Sequence, residues 1–82
     1  MSEGKLVNLR QMLPGRSGKV VEIQGGAGLF NRLSALGVRP GKKITKVSSM
    51  LMRGPVTIQS GNTRLAIGFG MANRIIVELE ES

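Results

Sequence analysis

The 82-residue chain has no cysteine, no histidine and no aspartate, and its only aromatic side chains are two phenylalanines. Each absence removes a class of explanation. Without cysteine there is neither a disulfide nor a thiolate metal ligand. Lacking imidazole as well, the chain has no donor set for a tight transition-metal centre. Without His, Cys or Asp the usual nucleophile–base pairs and dyads of enzymes cannot be assembled. No apolar run approaches the ~18 residues of a membrane span. The N-terminal MSEGKLVNLRQ has no basic region followed by an apolar block, so it does not read as a signal peptide, and a cytoplasmic address is expected.

Acidic residues are nearly missing from the middle of the chain. Between Ile23 and Val77 there is none, while Arg32, Arg39, Lys42, Lys43, Lys46, Arg53, Arg64 and Arg74 all lie in that span. The acids are Glu3, Glu22, Glu78, Glu80 and Glu81, and the net charge is +7. A basic middle attracts an anionic partner: nucleic acid, a lipid headgroup layer or an acidic protein face.

What the chain has in quantity is glycine and β-branched residues, arranged as one small domain over residues 1–82. A chain this size buries only roughly 60% of its unfolded surface, so closing the sheet into a barrel is an efficient solution. Leu13-Pro14-Gly15-Arg16 and Arg39-Pro40-Gly41-Lys42 fit type II turns. GKVVEIQ (18–24) is a strand candidate, with Val21 and Ile23 on one face and Val20 on the other. Leu29, Leu33 and Leu36 form one stripe of a short helix over about residues 28–37, with Phe30 beside it. Gly37 is placed to end that helix, and Val38 to contact Leu33, in a Schellman motif.

KKITKVSS (42–49) is strand-like, but Ile44 and Val47 cannot share a face under strict alternation, which calls for a bulge or strong curvature. Gly61-Asn62 joins PVTIQS to TRLAIG in a two-residue hairpin. Its register sets Ile58 opposite Leu65, Val56 opposite Ile67 and Gln59 opposite Arg64. RIIVELE (74–80) closes the chain with Ile75, Val77 and Leu79 inward and Glu78 and Glu80 outward. These pieces make a mainly β fold, a small SH3-like barrel of about five short strands with one short helix.

Two phosphate-binding patterns fail on spacing. GGAGLF (25–30) lacks the further glycine near Asn31 and the parallel βαβ unit of a dinucleotide fold. GRSGK (15–19) is followed by Val20 where Ser or Thr belongs, and by a strand instead of a helix. Glu78 and Glu80 lie two apart on one strand face, within reach of a hard cation, but read better as carboxylates solvating an exposed strand.

No catalytic, cofactor or metal residue is assigned. The partner-binding candidates are Arg39, Lys42, Lys43 and Lys46, then Met50, Leu51, Met52 and Arg53. The three consecutive apolar residues exceed what one barrel wall buries, and Met suits adaptable contacts. Phe30 and Phe69 are expected inside, which argues against base stacking and against nucleic acid as partner. A basic SH3-like RNA-binding module is the alternative.

Leu9, LPGRSGKVVEIQGG, RLSALGVRPGKKI, RGPVTI and LAIGFGMANRIIVE together resemble the FeoA family over nearly the full chain. Arg32-Leu33, Leu36-Gly37, Val38 and Pro40-Gly41 carry the most specific part of the likeness. The same SH3-like domain resembles the C-terminal domain of iron- and manganese-dependent repressors. The resemblance implies an accessory role in ferrous iron uptake, docking on the cytosolic GTPase part of a FeoB-type transporter. It also brings a family-level label of transition metal ion binding. A peripheral contact with the anionic inner face of the membrane is compatible with the charge.

Overall fold

Among the residues that the structure describes, six strands and two short helices follow the turns forecast by glycine and proline. The computed structural model describes residues 5–49 and 54–80. In chain order the elements are β1 (Leu6–Asn8), β2 (Ser17–Ile23), α1 (Ala27–Ala35), β3 (Lys43–Ser49), β4 (Val56–Ser60), β5 (Thr63–Ile67), α2 (Phe69–Ala72) and β6 (Ile75–Leu79). They form one antiparallel sheet in the order β1-β6-β2-β3-β4-β5. Buried side chains from all six strands meet in one core: Val7, Val20, Ile44, Val56, Ile58, Ile67, Ile75 and Val77, joined by Leu33, Val38 and Ala72. A flat sheet offers one face over a broad area, so sharing one cluster between first and last strands requires this sheet to curl. No helix among the described residues is long and apolar enough to cross a membrane.

The turn chemistry holds residue by residue. Gly15 and Gly41 take φ of 93° and 95°, and the closing bonds run from Arg16 N to Leu13 O and from Lys42 N to Arg39 O, each 3.1 Å. Helix α1 ends as expected. The Val38 amide donates to Leu33 O at 2.9 Å and the Gly37 amide to Ser34 O at 3.0 Å, the paired bonds of a Schellman motif. Gly37 sits at φ 95°, where a Cβ is disfavoured. The hairpin register is as read, with Ile58 opposite Leu65 and Gln59 opposite Arg64.

Two expectations are extended and three need correction. The sheet has six strands, because Leu6–Asn8 pairs with β6, and three residues are too few to show alternation. A second helix, the single turn α2, caps the start of β6. Val21 and Ile23 do not share a face: a register shift between Val20 and Glu22 makes Val21 an extra residue. Val20 and Ile23 therefore both turn to the core while Val21 is exposed. The helix stripe is shorter than its leucines suggested, since Leu36 is the C-cap and 47% exposed while Leu33 alone is fully buried. Finally, Phe30 is 39% exposed and Phe69 is half-buried under the Arg10 guanidinium, 4.2 Å from the ring centroid. The bulge expected in β3 is present, between Lys46 and Ser48.

Candidate docking face

The candidate face begins where α1 ends. The Schellman stop and the type II turn deliver Arg39 and Lys42 to solvent, and Lys43 opens β3. The Arg39 guanidinium donates to Ser34 O at 3.4 Å, near the carbonyl end of α1, where positive charge is favoured. Lys43 Nζ lies 3.1 Å from Glu80 Oε2 across the sheet, the one ion pair among the described residues. Both partners are largely exposed, so the pair orders side chains more than it stabilises the fold. Lys42 and Lys43 border a shallow groove of about 570 Å³ that Thr45, Gln59 and Gly61 complete. The face is cationic and open, suited to an extended anionic surface and too shallow to enclose a small molecule.

Lys46 does not belong to this face. Alternation along β3 puts it on the same side as Ile44, and it is 2% exposed. Its ammonium donates to Leu9 O at 3.0 Å, to Arg10 O at 3.3 Å and most closely to Met12 O. Those carbonyls end a single turn whose start is also capped: Asn8 N donates to Gln11 Oε1 and Gln11 N to Asn8 Oδ1, at 2.9 and 3.0 Å. Burial lowers the Lys46 ammonium below the ordinary lysine range, and the Arg10 charge adds to the effect. Sequence reasoning counted Lys46 with its basic neighbours; the signal that it faces inward was its parity with Ile44.

Met50, Leu51, Met52 and Arg53 lie outside the described residues. Every described lysine and arginine other than Lys46 is exposed. Thr45 and Gln59 were missed as face residues, although they are directly paired across β3 and β4 and alternation turns both outward.

The residues do not make a tight transition-metal centre. The chain offers neither imidazole nor thiolate, and among the described residues no three carboxylates converge. The Glu80 carboxylate already faces Lys43.

A curled six-stranded antiparallel sheet around one small core is the architecture of an SH3-like module. The crystal structure of Stenotrophomonas maltophilia FeoA with zinc, described as a prokaryotic SH3 domain protein, matches at a TM-score of 0.74 and 25% identity, covering 88% of this chain and 89% of its own. A manganese-dependent transcriptional repressor shares the fold at a TM-score of 0.84 and 14% identity, over 94% of this chain and 43% of the repressor.

The chain belongs to the FeoA family: the FeoA domain model matches residues 7–79. A crystal structure of an iron uptake regulatory protein, FeoA, is 39% identical, covering 93% of this chain and all of that one at a TM-score of 0.86. In Methanocaldococcus jannaschii, "Putative Fe(2+) transport protein A" is 36% identical over 59 residues, which is 72% of this chain and 70% of the relative.

Proposed function

We propose that this chain is a non-enzymatic accessory protein of ferrous iron uptake that docks on the cytosolic GTPase part of a FeoB-type transporter and modulates iron import. Family membership supports the pathway, as do the names of the relatives in ferrous iron transport. The observation that carries docking is the exposed Arg39–Lys42–Lys43 face, where Glu80 is the one carboxylate in an ion pair among the described residues. The lack of His, Cys and Asp, the residues of the usual nucleophile–base pairs, supports the non-enzymatic part of this reading. Iron is the transporter's cargo in this reading and needs no resident site here. The same cations would add a peripheral contact with an anionic membrane, each contributing about 1 kcal/mol near the surface.

The test uses a triple variant, Arg39→Ser, Lys42→Ser, Lys43→Ser, which changes only exposed side chains. Its expected behaviour is an unchanged fold with reduced binding to the GTPase domain and reduced ferrous iron uptake in cells lacking the native copy. Full uptake and full binding by the folded variant would remove the face from the account.

A further inference from the structure

A second groove adjoins the docking face and has a different character. It has a volume of about 480 Å³, with Val7, Leu13 and Leu79 as its apolar lining and Lys5 and Arg16 among its borders. Leu13 stands 65% exposed at the corner of its type II turn, a large apolar side chain held out in solvent. Glu80 also lines this groove, yet its carboxylate is engaged by Lys43, which lines the first groove. A second link joins the two grooves: Ser17 Oγ and Thr45 Oγ1 are 2.7 Å apart, Ser17 following Arg16 and Thr45 lining the first groove. The grooves are thus neighbours, linked by the Lys43–Glu80 and Ser17–Thr45 pairs.

We infer that the two grooves act as one furrow that takes an extended acidic segment of a partner protein, with an apolar side chain of that segment seated against Leu13. This deepens the docking reading above and rests on it, adding what the partner presents. Charge complementarity chooses the occupant. Among the described residues, Lys5, Arg16, Lys42 and Lys43 line the furrow, against the single carboxylate of Glu80. An acidic strand matches that sign, and the apolar floor selects a segment that alternates charged and apolar residues.

The corner carrying Leu13 and Arg16 is also preorganised. Lys46 holds Met12 O from inside, its amide donates to Arg16 O at 3.0 Å, and its carbonyl accepts from Gly15 N at 2.8 Å. A wall fixed before binding costs little ordering entropy when the partner arrives. Lys46 is a positioning residue for the furrow, acting through this corner.

The experiment is an NMR titration of labelled full-length chain with an acetylated, amidated hexapeptide of alternating leucine and glutamate, and with its leucine–glutamine counterpart. The acidic peptide is expected to shift Lys5, Leu13, Arg16 and Lys43 together and to bind about tenfold more tightly at low salt than the neutral one. Leu13→Ser and Arg16→Gln, both at exposed side chains, should each lose the shifts at the corner while keeping a native spectrum. Equal binding of the two peptides, shifts confined to Lys42 and Gly61, or no shifts at millimolar peptide would overturn the furrow. A parallel titration with the GTPase domain separates the two readings. Shifts at Lys42 without Leu13 and Arg16 would sink the furrow alone, whereas no shifts with that domain would count against the docking partner and leave the peptide result to judge the furrow.

Discussion

Replacing Lys46 by methionine isolates the energetic role of its ammonium, because the unbranched stem is nearly conserved and only the head group goes. In the native fold that head group is the donor for Leu9 O and Met12 O, both buried, and for Arg10 O, which is partly buried. Each buried carbonyl left without a donor costs about 1–3 kcal/mol. Two such losses would cost about 2–6 kcal/mol, offset in part because the substitution also removes a charge whose burial is unfavourable. A net destabilisation of about 2 kcal/mol is expected, which for a domain of this size lowers Tm by roughly 8–16 °C.

Urea unfolding is the assay, and the midpoint should fall while the slope stays fixed. The pH dependence supplies a second readout. The folded-state pKa of Lys46 is lowered from the ordinary 10.5, so between the two values the unfolded chain binds more protons and stability rises with pH. The penalty of burying the charge is present below the folded-state value and is gone above 10.5. The native chain should therefore gain stability over Lys46→Met as pH approaches that value from below. A variant as stable as the native chain, with the same pH profile, would refute the reasoning about the carbonyl cage.

Further outcomes follow from the backbone. Gly18→Ala would drive a Cβ against Val77 Cγ1 and to 2.6 Å from Glu78 O, so a loss of about 2–3 kcal/mol is expected in urea unfolding. Gly37→Ala keeps space around the new methyl group, 3.7 Å from Ser60 Oγ, but forces φ 95° on a Cβ; about 1 kcal/mol should be lost, visible as a lower thermal midpoint. Lys43→Ser breaks only an exposed ion pair, so stability should change by less than about 1 kcal/mol while GTPase-domain binding weakens. If RNA were the partner instead, gel-shift affinity would fall steeply with salt as phosphate counterions are released; no shift at low salt is the expected result.

Local rules made much of this fold legible. Turn glycines and the Schellman ending involve residues adjacent in sequence, so spacing alone located Gly15, Gly37 and Gly41. The Gly61-Asn62 hairpin was equally readable because one loop fixes its whole register. What escaped depends on distant strands. Val21 is extruded because β2 must match β6 across more than fifty residues of chain, and no local alternation reveals it. Strand β1 exists only because β6 offers an edge to Leu6–Asn8. On the candidate face the charge pattern located Arg39, Lys42 and Lys43 but also enlisted Lys46, because a basic run does not say which lysine turns inward. The carbonyls that make its burial tolerable come from Leu9, Arg10 and Met12, remote in sequence.

The central claim is that this chain docks on a transporter GTPase through its cationic face. The most direct test is an NMR titration of the labelled chain with the soluble GTPase domain of the same organism's FeoB-type transporter, loaded with GDP and then with a GTP analogue. The account predicts shifts centred on Arg39, Lys42 and Lys43 in at least one nucleotide state, with the Lys46 amide responding less than its exposed neighbours. Absence of any shift in both states, or shifts confined to Glu22 and Arg74, toward the other end of β2 from the Lys19–Lys43 pair, would contradict it.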